Sequence, residues 1–90
     1  MLARLATVNT QPAQADDANV QYLRDTIKSV PGFVVGFHML HEQSGKAYSL
    51  VVVEDDASSA QVREALAQRP AERRVGVDLD HVQVLTAIPF

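Results

Sequence analysis

Residues 30–54 read VPGFVVGFHMLHEQSGKAYSLVVVE, and this stretch decides the fold. It contains two apolar runs of strand length, Phe33–Glu42 and Ala47–Glu54. Between them, Gln43–Lys46 includes Gly45, which tolerates the positive φ that a hairpin connection needs. The stretch therefore predicts a β-hairpin in the middle of the chain. Gly36, inside the first run, predicts a bulge or a close backbone approach there.

A helix is predicted on each side of this hairpin. The first spans Asp16–Val30, because one apolar stripe recurs along it at helical spacing. Pro31-Gly32 ends it. The second follows Asp55-Asp56, whose carboxylates suit a helix start, and it ends by Pro70. Ser58 and Gln61 also have the spacing of a capping box. The stripe residues are Val20, Leu23, Ile27 and Val30 in the first helix, and Val62 and Leu66 in the second.

Two outer strands complete the pattern. Met1–Val8 is predicted as the first strand and His81–Ile88 as the last, with an irregular connection over Ala71–Leu79. The order β-α-β-β-α-β predicts a single α+β domain over residues 1–90 with the ferredoxin-like fold. In that fold a four-stranded antiparallel sheet carries both helices on one face.

The other face of the sheet is predicted to be covered by a second copy of the chain. The third strand is apolar on both sides, with Val51 and Val53 on one side and Leu50 and Val52 on the other. A bare sheet face of this kind exposes more hydrocarbon than a monomer normally shows. A homodimer paired face to face is therefore the predicted partner arrangement.

Composition narrows the class of function. Hydrophobic residues make up 47% of the 90 residues, the net charge is −3, and there is no cysteine. The charge argues against a nucleic-acid partner, and the missing cysteines exclude disulfides and thiolate metal sites. No apolar run approaches the roughly 20 residues of a membrane span, so neither a membrane partner nor a secretory leader is predicted. The expected location is the cytoplasm.

The central stretch, with its Pro31-Gly32-Phe33 entry, glycine hairpin and apolar strand before a short helix, resembles the antibiotic-biosynthesis-monooxygenase-like superfamily. The resemblance implies a dimeric α+β barrel with a ligand cleft between the sheet and the helices of each subunit. Members include cofactor-free quinone-forming monooxygenases and haem degraders. Val53 stands where the family often has tryptophan. Arg4 and about Val62 stand where the haem degraders have asparagine and histidine, so haem degradation is not supported and no cofactor is expected.

Two side chains are candidates for catalysis. His38 lies deep in its predicted strand and is either a base in the cleft or a hydrogen-bonded interface residue. Arg4 lies in a predicted inner strand. Its head either enters the cleft, where an anionic ligand or phenolate would pair with it, or reaches solvent at the end of the strand, which we favour. His38 and His41 are three residues apart in a strand and therefore point to opposite faces. Together with His81 they are not predicted to form a metal site.

Two functions remain open on this basis, with an amino-acid-sensing module as a weaker third. The first is a protein that binds a small apolar or aromatic molecule in the cleft, which is lined by the aliphatic side chains of Ala6, Val20, Val53 and Val62. The alternative is a cofactor-independent monooxygenase acting on an aromatic or polyketide-like substrate. In that alternative His38 is the base and Arg4 stabilises the developing enolate or phenolate.

Overall fold

The computed structural model of the chain describes residues 1–8, 17–74 and 79–90. Within these residues the elements follow the predicted order. The strands are β1 (Leu2–Val8), β2 (Phe33–His41), β3 (Lys46–Val53) and β4 (Leu79–Thr86), the helices are α1 (Asp17–Lys28) and α2 (Asp56–Ala67), and a short 3₁₀ turn (Ala71–Arg73) follows α2.

The four strands form one antiparallel sheet in the order β2-β3-β1-β4. The two inner strands are β3 and β1, so the continuous apolar run of β3 lies inside the sheet, as predicted. The two edges are β2 and β4. This arrangement confirms the ferredoxin-like βαββαβ fold.

The register assigns each residue to one face of the sheet. Leu2 and Arg4 of β1 lie opposite Val53 and Val51 of β3, so these four residues share a face. Both helices cover that face, which we call the helix face. Its core contains Val51 and Val53 together with Val62 of α2 and three residues from α1 and its C-terminal turn, namely Leu23, Ile27 and Val30. The predicted helix stripes are therefore confirmed as core.

The opposite face, which we call the open face, has no helix against it. Val35, Phe37 and Met39 of β2 point to this face because they pair with Val52, Leu50 and Tyr48 of β3. Phe37 is 55% exposed and Leu85 of β4 is 46% exposed. Large apolar side chains on this face are thus in contact with solvent in a single chain.

The turn between α1 and β2 depends on Gly32. Its φ of +88° lies in the left-handed region, which glycine adopts without steric cost. Its carbonyl accepts a hydrogen bond of 2.9 Å from the Glu54 N–H, which joins the start of β2 to the end of β3. Pro31-Gly32 therefore ends the helix as predicted. The helix itself stops at Lys28, two residues before the predicted end, and Val30 reaches the core from the turn.

The predicted bulge is in β2 but not at Gly36. The register with β3 shifts between Phe33 and Val35, whereas Gly36 pairs regularly with Val51. A second irregularity lies in β4, where the register with β1 shifts near His81, which has a φ of +48°. This strand begins at Leu79 and ends at Thr86, each two residues earlier than predicted.

The cap of α2 also differs from the predicted capping box of Ser58 and Gln61. Asp55 is the N-cap, and its carboxylate accepts a 2.8 Å hydrogen bond from the Ser58 N–H. Ser58 is therefore the third residue of the helix, and its N–H is one of the donors that the helix itself leaves unpaired. The carboxylates at this helix start were correctly expected to cap it.

Some predicted features lie outside the described residues. They are Asp16, which was expected to begin α1, and residues 75–78 of the connection between Ala71 and Leu79. None of the helices in the described part of the chain is long and apolar enough to cross a membrane.

Candidate functional site

One cavity lies between α1 and the β2–β3 hairpin, on the helix face of the sheet. Its volume is about 330 Å³. The register explains why His38 lines it: His38 pairs with Ser49, and Gly36 pairs with Val51, so all four lie on the helix face. Gly36 has no side chain to occupy this space. We call this space the His38 cavity. Its walls include Arg24, Ile27, Lys28, Phe33, Gly36, His38, Ser49 and Val51.

The electrostatics of this cavity favour a neutral imidazole. Burial lowers the pKa of His38 from its ordinary value of about 6.5, and the positive charge of Arg24 lowers it further. A neutral imidazole has one free nitrogen lone pair that can accept a proton or a hydrogen bond. His38 is therefore prepared to act as an acceptor or base toward a molecule in this cavity.

The other two histidines lie elsewhere. His41 pairs with Lys46 at the hairpin, and its Nδ1 lies 2.6 Å from the Ser44 Oγ. His81 is on β4, at the opposite edge of the sheet, with its Nε2 3.2 Å from an Asp80 carboxylate oxygen. Among the residues that the structure describes, no three histidine or acidic side chains are grouped so that they could hold a metal ion.

Arg4 lines a second, separate cavity. This cavity has a volume of about 370 Å³ and lies between α2 and the strands β1 and β4. The Arg4 side chain is only 9% exposed, so the favoured expectation that its head reaches solvent is wrong. Its Nη1 donates instead to the Oγ and the carbonyl of Ser59 in α2, at 3.2 and 3.4 Å. The inner position of β1 under α2 is the reason.

The predicted catalytic pair is therefore on one face of the sheet but not in one cavity. His38 belongs to the β2–β3 side and Arg4 to the β1–β4 side. The cation that shares the cavity with His38 is Arg24. Sequence reasoning missed Arg24, although it stands one helical turn before Ile27-Lys28, which flank the same cavity.

The predicted ligand-lining residues are buried or half-buried. Val53 and Val62 are 0% and 1% exposed and form the centre of the core, and Val20 packs against that core. Ala6 is buried on β1. None of these four residues lines either cavity. Their role in binding a ligand stays a prediction.

Solved structures with the same fold include several monooxygenase-like proteins. SnoaB, a cofactor-independent oxygenase from Streptomyces nogalater, matches in a single-substitution mutant form with a TM-score of 0.72 and 18% identity, covering 99% of this chain and 94% of that one. A candidate antibiotic biosynthesis monooxygenase from Bordetella bronchiseptica matches with a TM-score of 0.66 and 18% identity, over 98% and 97% of the two chains.

A protein of another kind also has a similar fold. The second RRM domain of the yeast poly(U)-binding protein matches with a TM-score of 0.53 and 18% identity, over 98% of this chain and 99% of that one. No family model matches the sequence, and no curated protein matches it. At these identities the likeness concerns the fold, and a shared fold does not by itself assign a function. The chain has the fold of the antibiotic-biosynthesis-monooxygenase-like proteins, as its central stretch implied.

Proposed function

We propose that this protein binds a small apolar or aromatic molecule in the cleft between its sheet and its helices, and that the His38 cavity receives it. The observation that carries this proposal is the composition of the cavity wall. Phe33, Ile27 and Val51 supply apolar surface, and His38 and Arg24 supply a few polar groups. A concave, mainly apolar surface with a small number of polar groups is typical of small-molecule sites.

The size of the cavity supports the same class of ligand. A volume of about 330 Å³ is at the lower end of the range of ligand sites, roughly 300–1,000 Å³, and suits a molecule of two or three fused rings. Burial and the charge of Arg24 lower the pKa of His38, and a neutral His38 would accept a hydrogen bond from a phenolic hydroxyl on such a molecule.

We also propose that the working form is a homodimer paired through the open face. The apolar side chains of β2 and β4 on this face support it, since a second copy would remove them from water. Sedimentation equilibrium of the native chain tests this proposal, and a monomer at micromolar concentration would refute it. A cytoplasmic location remains a prediction from the sequence.

The binding proposal is tested by titrating the protein with 2-naphthol and following backbone amide shifts by NMR. Shifts should map to β2, β3 and α1. Gly36→Leu is the diagnostic variant, because its side chain would enter the cavity. The neighbours that a Cβ at this position would meet are at 3.5–3.6 Å, an ordinary contact distance, so the fold should tolerate a side chain here. We expect the variant to weaken 2-naphthol binding at least about tenfold.

Val84→Leu is the matched control, since it enlarges an exposed side chain on β4, at the far edge of the sheet. It should leave the affinity unchanged. Equal binding by the native protein and Gly36→Leu would refute the assignment of the ligand to this cavity.

An alternative function is favoured by one observation, the position of His38 beside Arg24 in one cavity. In a cofactor-independent monooxygenase, His38 would remove the proton of a phenolic or enolic substrate, and a nearby cation would stabilise the anion that reacts with dioxygen. Oxygen uptake with anthrone as substrate tests it. His38→Gln should abolish any uptake that the native protein catalyses, and equal uptake by both would refute this role.

A further inference from the structure

The cavity lined by Arg4 concentrates positive charge in a chain that is negative overall. Four of its lining residues are arginines: Arg4, Arg63, Arg69 and Arg74. They are half of the 8 lysines and arginines of a sequence whose net charge is −3. Like charges that face one cavity repel each other, and an anion placed among them would reduce that repulsion. We call this space the arginine cavity.

Two guanidinium groups of this cavity, one buried and one exposed, lack a carboxylate partner among the described residues. Arg4 donates only to the neutral oxygens of Ser59, and Arg63 makes no hydrogen bond or ion pair with any of those residues. Burial, and next the charge of Arg63, lowers the pKa of Arg4, which nevertheless stays charged. An arginine that is nine-tenths buried and faces another cation is a position where an anion would be stabilised.

Arg74 is held in place by the C-terminal end of α2. Its Nη2 donates to the Ala67 carbonyl at 2.8 Å, and its Nε donates to the Arg69 carbonyl at 3.1 Å. These bonds fix the guanidinium plane at the cavity wall, while the remaining N–H groups of the fork stay available. A pre-organised arginine loses little side-chain entropy when it binds an anion.

The other described residues that line the arginine cavity are apolar. Leu66 of α2 and Leu79 and Val82 of β4 line it, and Val82 is 42% exposed. The cavity therefore offers hydrocarbon surface beside its guanidinium groups. A ligand that fits would have an anionic group at one end and an apolar body at the other.

We propose that the arginine cavity is a second binding site, distinct from the His38 cavity, for a small organic anion that carries a carboxylate or phosphate group. Arg4, Arg63 and Arg74 hold the anionic group, and guanidinium forks match the paired oxygens of either group. The hydrocarbon part of the ligand lies on Leu66 and Val82.

The test measures binding of 1-naphthoate and 1-naphthyl phosphate, with the neutral 1-naphthylmethanol as the uncharged probe. Binding is followed by NMR through the arginine Nε–H resonances and the amides of α2 and β4. The native protein should bind the two anions at least about tenfold more tightly than the alcohol. The tighter of the two anions identifies the preferred anionic group.

Arg63→Gln is the diagnostic variant, because the Arg63 side chain is exposed and its removal breaks no hydrogen bond with the described residues. It should weaken binding of the anions about tenfold and leave the alcohol unaffected. Arg73→Gln removes the same charge beside Arg74, but Arg73 lies over the Tyr22 ring, 5.5 Å from its centroid, and does not line the cavity. This control should bind the anions as the native protein does.

If Arg63→Gln and Arg73→Gln weakened anion binding equally, only the net charge would matter, and the proposal would be overturned. Unchanged anion binding in Arg63→Gln would also overturn it. Gly36→Leu separates this proposal from that of the His38 cavity. It should leave binding of the anions unchanged. Loss of anion binding in Gly36→Leu would place the anions in the His38 cavity and refute the second site.

Discussion

Gly32 and Ser58 approach each other so closely that no side chain fits on Gly32. A Cβ added there would overlap the Ser58 Oγ and lie 2.9 Å from the Ser58 Cβ. Gly32 immediately precedes β2 and Ser58 belongs to the first turn of α2, so this contact joins the two halves of the fold. The same contact brings Gly32 next to the end of β3, where its carbonyl accepts from the Glu54 N–H.

Gly32→Ala is therefore expected to destabilise the protein by about 2–5 kcal/mol. A left-handed backbone costs a residue with a side chain about 1–2 kcal/mol, and overpacking against α2 adds about 1–3 kcal/mol. Urea unfolding at a fixed protein concentration measures the difference, since dimerisation makes stability depend on concentration.

The control for this change is Gly36→Ala. Gly36 has no positive φ and its new Cβ would have ordinary contacts, so its cost should stay below about 1 kcal/mol. If Gly32→Ala were no more costly than Gly36→Ala, the close approach to Ser58 would not be real.

Phe37→Asp and Leu40→Asp should separate the two faces of β2. Both side chains are about half exposed, at 55% and 51%. Phe37 pairs with Leu50 on the open face, and Leu40 pairs with Ala47 on the helix face. If the open face is the dimer interface, Phe37→Asp places a charge in it and should raise the dimer dissociation constant at least about a hundredfold, an effect of about 2.7 kcal/mol.

Leu40→Asp adds the same charge to the same strand and should leave the dimer intact. Sedimentation equilibrium of both variants gives the comparison. Equal dissociation of both, or of neither, would argue against an interface on the open face.

The pKa of His38 should depend on its burial and on the charge of Arg24. Its pKa, measured from imidazole NMR shifts, is expected below the ordinary value of about 6.5 because of burial and Arg24. Arg24→Gln should raise it, whereas Lys28→Gln, which removes another charge from the same cavity wall, should change it less. An unchanged pKa in Arg24→Gln would contradict the placement of these two side chains in one cavity.

The same shift has a defined effect on stability. Because the unfolded chain has the higher pKa for this histidine, it takes up the proton first as the pH falls. The folded state should therefore lose stability as the pH decreases from about 6.5 toward the folded-state pKa of His38. His38→Gln should remove this part of the pH dependence of the urea midpoint.

The cap of α2 should titrate in the opposite way. The hydrogen bond from the Ser58 backbone, and next the one with its side chain, lowers the pKa of Asp55. A carboxylate of this kind stabilises the fold at a pH above its unfolded pKa of about 3.9, and the contribution is lost as the pH falls through the folded-state pKa. Asp55→Ala should lower the urea midpoint at pH 7.

Asp55→Asn keeps a side-chain acceptor, so it should lower the urea midpoint at pH 7 less than Asp55→Ala does. Because the amide does not titrate, this variant should not show the loss of stability at acid pH. Asp56→Asn removes a neighbouring charge without removing the cap, and serves as the control. Asp56→Asn keeps the Asp55 carboxylate, so it should lose more stability than Asp55→Asn as the pH falls from about 5 to about 2. An equal loss in the two variants would contradict the role of Asp55.

The sequence predicted the elements well where local pattern governs them. The stripe of Leu23 and Ile27 identified α1, and the apolar run of β3 identified an inner strand, because helical and strand periodicities are visible in the sequence. It was less accurate where two local signals competed. Both Asp55 and Ser58 can cap a helix, and only the backbone conformation decides that Asp55 does.

The amino-acid sequence alone determined the order of the elements, the antiparallel sheet with one covered face, and His38 as a residue of interest. Only the tertiary structure decided that His38 shares a cavity with Arg24 and that Arg4 lies with Arg63 and Arg74 in another. The reason is that periodicity specifies which face of an element is apolar. Which charged groups meet depends on strand register and on where each helix crosses the sheet, and these are set by packing between residues far apart in the chain.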